Sequence, residues 1–100
     1  MREENYLFYN KDKFVKKARE LRIDDETIDH ELDHYREARR LGYKTRFKIN
    51  QYQNICSVII NKNVRDEDVI RTALAPKHPD FTDFVIAEEA KIRLRRKNAD

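Results

Sequence analysis

Gly42 is the only glycine in this chain of 100 residues, and it stands where the apolar pattern changes its period. Before it, Ile28, Leu32 and Tyr35 recur at helical spacing; after it, Tyr43, Thr45, Phe47 and Ile49 alternate with Lys44, Arg46, Lys48 and Asn50. A residue that takes positive φ without steric cost, placed directly after Leu41 with Arg39 and Arg40 in the preceding turn, meets the needs of a left-handed helix C-cap. The chain therefore predicts a helix that stops at Leu41 and a strand that follows it.

The same signals organise the remainder. Tyr6 to Tyr9 has the character of a short strand, and Asn10 caps a first helix that carries Phe14, Val15, Ala18 and Leu21. Asp24 or Asp25 opens the second helix. A hairpin turning near Gln53 and Asn54 leads into the apolar run Ile55 to Ile60. Asp66 begins a third helix with Val69, Ile70, Ala73 and Leu74, and Pro76 stops it. After the loop Pro76 to Pro79, Asp80 or Thr82 caps a last helix whose expected apolar contacts are Phe81, Phe84, Val85, Ala90, Ile92 and Leu94. The fold class expected is a small α+β domain: helices, a β-hairpin or small sheet, and a C-terminal helix.

One hundred residues support one hydrophobic core and hence one domain, residues 1–100. Charged residues, at 41%, balance to a net +3, so the surface is mixed in sign apart from the cluster Lys91, Arg93, Arg95, Arg96 and Lys97. No apolar run has the length of a membrane span and the first ten residues hold no signal-peptide core, so a soluble protein is expected. The lone Cys56, a predicted strand residue, precludes an internal disulfide and fits a cytoplasmic location. The charge-rich, glycine-poor composition resembles thermophile usage.

The second helix holds the sequence His30-Glu31-Leu32-Asp33-His34. Residues four apart lie one turn above each other, so both imidazoles can reach one ion. At about 100° per residue, Ile28, Leu32 and Tyr35 form one stripe while His30 and His34 point away from it. The pattern H-E-x-x-H is that of a zinc hydrolase: His30 and His34 as metal ligands, and Glu31 as the base that takes a proton from a zinc-polarised water. The bland alternative is a solvated helix face with exposed histidines. A catalytic zinc takes three protein ligands and keeps one position open. His78 is the only histidine remaining; Glu88 and Glu89 are the rival third ligands.

The whole chain, with a short helix, an HExxH helix, a hairpin, two further helices and one other histidine, resembles the minigluzincins, minimal soluble zinc metallopeptidases of the gluzincin type. "IAEEAKIRL" only loosely resembles the glutamate-bearing helix of other gluzincins, since Ala87 and Lys91 take the place of its glutamate and aspartate. The resemblance implies a zincin-like fold, Zn²⁺ as cofactor, a histidine as third ligand (here His78), Glu31 as catalytic base or acid, and peptide or protein substrates. It also implies a latent zymogen in which a C-terminal segment, here 81–100, blocks the cleft, with exchange of that helix between two copies as one route to a homodimer.

No transition-state stabiliser is evident: Tyr35, Tyr43, Tyr52 and Arg46 are candidates, each equally suited to packing or to a solvated strand face. Two further functions compete with the peptidase. The basic stretch "KIRLRRK" suits nucleic acid or an acidic partner, although no nucleic-acid-binding motif accompanies it. HELDH and His78, completed by Cys56 or a carboxylate such as Asp100, would alternatively make a structural zinc site without catalysis.

Overall fold

The computed structural model describes residues 5–52, 55–60 and 63–99. In chain order the elements are β1 (Asn5–Phe8), α1 (Lys11–Glu20), α2 (Asp25–Arg40), β2 (Thr45–Asn50), β3 (Ile55–Ile60), α3 (Asp66–Ala73) and α4 (Phe81–Asn98). The fold is a small α+β domain built on an antiparallel sheet of order β1-β2-β3. The hairpin turn expected near Gln53 and Asn54 falls outside the described residues, as does Asp100.

Local chemistry sets the helix boundaries. The Asn10 side chain accepts from the backbone N–H of Lys13, and the Asp24 side chain from that of Thr27 at 2.7 Å, so each helix begins with one orphan donor satisfied. At the far end of α2, Gly42 takes φ of 92° while Tyr43 N–H donates back to Ala38 O, which turns the chain into β2.

The register of β2 against β3 pairs Phe47 with Val58 and Ile49 with Cys56, and β1 sets Tyr6 beside Ile49. Thr45, Phe47 and Ile49 are buried while Arg46, Lys48 and Asn50 are only partly covered. The alternation expected from the sequence is thus the alternation of core face and outer face. Phe47 stacks on Phe14 of α1 with ring centroids 4.2 Å apart, and Tyr35 of α2 tilts against the same ring at 4.9 Å. Ile23, Ile28, Leu32 and Cys56 complete this core.

α3 packs on α2, and α4 packs chiefly on α3 while its first turn reaches α2 through Asp83. Of the contacts expected for α4, Ala90 is buried and Leu94 is partly covered, but the larger side chains are not. Phe81, Phe84, Val85 and Ile92 are exposed, Phe81 at 71%, and the buried residues are Ala87, Ala90 and the charged Asp83. Apolar side chains lie all around this helix, so periodicity does not choose its buried face; close approach to α3 favours the small residues. At the other end of the pair, buried Asp66 accepts from Arg93 Nε at 2.7 Å and from Lys97 Nζ at 2.8 Å, fastening the last turns of α4 to the start of α3.

Candidate metal centre

α2 buries two faces. Ile28 and Leu32 enter the core, while His34 is covered by Thr72 of α3 and Asp83 of α4, with Glu31 buried and His30 partly covered beside it. The histidine face is therefore not a solvated surface, because the last two helices lie over it.

The His34 ring is fixed first. Its Nδ1 lies 2.7 Å from the carbonyl oxygen of Thr72 in α3; a carbonyl only accepts, so Nδ1 carries the proton and donates. In the neutral ring Nε2 then presents a lone pair. That lone pair faces His30 Nε2 at 3.2 Å and Asp83 Oδ1 at 3.1 Å, while Asp83 Oδ2 lies 2.9 Å from His30 Nε2. These donor atoms all lie within 4.8 Å of one another, and it is the one such group among the described residues.

Asp83 is held in place by the start of its own helix. Its Oδ2 accepts from the backbone N–H of Asp80 at 3.0 Å, and its own N–H donates to Asp80 Oδ1 at 2.8 Å, a reciprocal capping box. Asp80 Oδ2 also approaches His30 Nε2, to 3.6 Å. Two imidazole nitrogens and a carboxylate oxygen thus converge, with His34 oriented by a carbonyl on its remote nitrogen, a common support for metal-binding histidines. Two nitrogens on a tetrahedral zinc, each about 2.0–2.1 Å from it, lie about 3.3 Å apart, close to the spacing found here. The donor set fits a divalent cation.

Glu31, 8% exposed, lies beside this group. Burial, and then the negative charges of Asp83 and Asp80, push its carboxyl up to about 8. A cation at the histidines would oppose the second of these influences directly. Cys56 lines the same space; burial first, then the charges of Glu31 and Asp24, push its thiol up to about 11, so it is a neutral core thiol at pH 7.

Two cavities meet at this point. One of about 400 Å³ runs between α2, β3, α3 and α4, past His30, Glu31, His34, Val58 and Ile86. The other, of about 770 Å³, extends past His30 and Glu31 toward the Pro76 to Pro79 loop. Glu31 therefore borders both cavities, as a residue that handles a water must border open space.

The other residues singled out in the sequence are placed apart from the cluster. His78 is exposed in the loop before α4 and lines the larger cavity, but Asp83, not His78, completes the group with His30 and His34. Glu88 is exposed and pairs with Lys91 at 3.0 Å, and Glu89 is exposed on the following position; each is rotated away from the packed face defined by Ala87 and Ala90. Tyr35 packs on Phe47, and the Tyr43 hydroxyl donates to Asp68 at 2.6 Å. Neither these tyrosines nor Tyr52 and Arg46 line either cavity.

Asp83 went unread in the sequence because aspartate in a first helical turn has an ordinary explanation in capping. The available signal was its position: Asp80 and Asp83 open the very segment expected to cover the cleft. Comparison of the chain with family models, with curated proteins and with solved structures finds no match. Among the described residues, no helix is long and apolar enough to cross a membrane.

Proposed function

We propose that this chain is a zinc metallopeptidase of the minigluzincin kind in a latent form, with His30 and His34 as zinc ligands and Glu31 as the proton-handling group. The observation that carries this reading is the convergence of His30 Nε2, His34 Nε2 and Asp83 beside a buried glutamate that borders two cavities. Bound zinc would supply Lewis acidity toward a water and a substrate carbonyl. The chain's own residues do the rest. Thr72 O holds the His34 tautomer, Glu31 accepts a proton from the attacking water and returns it to the leaving amine, and the flanking cavities admit the peptide.

Latency, in this reading, comes from α4. Asp83 would fill the third ligand position from within the segment 81–100, held by the capping box with Asp80. His78, on the wall of the larger cavity two residues before Asp80, would be the residue to take that position once Asp83 leaves. Exchange of α4 between two copies would preserve the same contacts in a homodimer.

A structural zinc site without catalysis is the second reading, favoured by the same closed arrangement of Asp83. Nucleic-acid binding is less favoured, because Arg93 and Lys97 of the basic stretch are engaged by Asp66.

Metal content by elemental analysis and cleavage of labelled casein separate these readings. Wild type should hold about one zinc per chain and cleave little; His30→Ala should lose the metal. Asp83→Ala should keep zinc at reduced affinity and cleave casein. Asp83→Ala/Glu31→Gln should keep zinc and be inactive, and Asp83→Ala/His78→Ala should lose zinc. Absence of zinc from reconstituted wild type sinks the metallopeptidase, and zinc without cleavage in Asp83→Ala leaves the structural site.

A further inference from the structure

One face of the sheet carries no helix. The helices that pack on the sheet, α1 and α2, do so through Phe14, Ile28, Leu32 and Tyr35, against the side of Phe47 and Ile49. By strand alternation and register, the other side presents Arg46, Lys48 and Asn50 of β2, with Leu7 of β1 beside Lys48 and Ile59 of β3 beside Arg46.

The charges on this side are of one sign. The chain has 19 acidic residues, yet none lies in the three strands, and Arg46 and Lys48 have no ion pair among the described residues. Lys44, exposed just ahead of β2, adds a third cation. The Arg46 Nε is covered and meets no acceptor among the described residues. A guanidinium without an acid partner keeps its fork for phosphate oxygens, which it can take bidentately.

Aromatic rings supply a second, independent observation. Tyr9 stands just past the end of β1 and Tyr52 just past the end of β2, each 71% exposed, and neither borders the two cavities. The Tyr52 N–H donates to Asn50 Oδ1 at 3.1 Å, which fixes that tyrosine at the strand end. Because β1 and β2 run antiparallel, the two tyrosines bracket the face, about 20 Å apart for a six-residue strand at about 3.3 Å per residue. Exposed rings combined with unpaired cations on a flat sheet suit a strand of nucleic acid, with bases stacked on the rings and phosphates on the cations. A duplex is less suited, since no helix projects from this side to enter a groove. An acidic peptide would use the cations but leave both rings idle.

We propose that the open face of the sheet binds single-stranded nucleic acid, with Arg46 and Lys48 on the phosphates and Tyr9 and Tyr52 stacked on bases. This is a second function, independent of the metal centre and of the basic end of α4, because α2 and the sheet stand between this face and the α3–α4 pair. It gives a role to Arg46 and Tyr52, which the metal centre leaves unused.

The test titrates the full-length chain into fluorescein-labelled decauridine at about 20 mM salt, read by anisotropy, with ¹⁵N shift mapping of the same complex. Binding should fall within the range of about 10⁻⁴–10⁻⁶ M, with shifts concentrated on Leu7, Arg46, Lys48 and Tyr52. Arg46→Gln/Lys48→Gln should weaken it about tenfold and flatten the slope of log K against log salt by about 1.4, two phosphate contacts at about 0.7 each. Tyr9→Ala/Tyr52→Ala should weaken it roughly tenfold and leave that slope unchanged. Arg95→Gln/Arg96→Gln should bind as wild type does. Melting curves report whether each variant is folded, and the wild-type shift map needs no variant. No binding at low salt, shifts on the basic end of α4 in place of the sheet, or loss of binding in Arg95→Gln/Arg96→Gln would overturn the proposal. Full affinity in the tyrosine variant would do the same, as would equal affinity for polyglutamate, the mark of a surface for acidic proteins.

Discussion

Single residues decide whether α2 presents its motif correctly. His34 is oriented by one bond to the Thr72 carbonyl, and the Asp83 carboxylate by one bond from the Asp80 backbone N–H, so these two candidate ligands are set by backbone groups. Gly42 has an equally local task. A Cβ there would meet no atom within 4 Å, yet φ of 92° lies where L side chains are strained. Gly42→Ala should therefore destabilise by about 1 kcal/mol, a fall in Tm of about 4–8 °C for a domain of this size. Gly42→Asn should lose less, since asparagine tolerates left-handed backbone better. Equal melting of Gly42→Ala and wild type would mean that the turn relaxes to negative φ.

The helix pair α3–α4 behaves as a unit that lies across the histidine face and is fastened at both ends. At one end Asp83 meets His30 and His34; at the other Asp66 meets Arg93 and Lys97. Hydrogen bonds from Lys97 and Arg93 hold the Asp66 carboxyl below the ordinary carboxylate range. Its stabilising effect is complete above the unfolded value near 4 and fades as pH falls through the lower folded value. Thermal melts followed by circular dichroism between about pH 2.5 and pH 6 should show a steeper acid loss in wild type than in Asp66→Asn. Identical pH profiles would show that Asp66 does not fasten α4. Wild type should also lose part of this stabilisation at high salt, because Arg93 and Lys97 are substantially exposed.

For the whole molecule, a modest core under a charge-rich surface leaves room for a metal to contribute much of the stability. Zinc at about one hundred times its dissociation constant adds about 2.7 kcal/mol, which should raise Tm by roughly 10 °C or more. A calorimetric scan of reconstituted protein against protein treated with chelator reads this directly. An unchanged Tm in wild type would count against the three-residue centre. In His30→Ala, the metal-dependent shift should vanish even if the fold is retained.

Local rules made much of this fold legible in the sequence. Asn10, the pair Asp24 and Asp25, and Gly42 marked helix ends because capping is a matter of a few adjacent backbone groups, and Thr45, Phe47 and Ile49 marked a core face because strand alternation depends on the pleat alone. HELDH could be placed on a helix, with its histidines off the apolar stripe, for the same reason. Tertiary structure decided what lies over that face. Whether His78 or Asp83 meets the histidines depends on the path of a loop and on which side of α4 approaches α3, and the apolar residues surrounding α4 offer no periodic preference. The buried alanines permit the close approach, and the capping box then fixes the Asp83 carboxylate between the two imidazoles. Sequence determined the elements through neighbours along the chain; the third member of the centre came from long-range packing, which leaves no period to read.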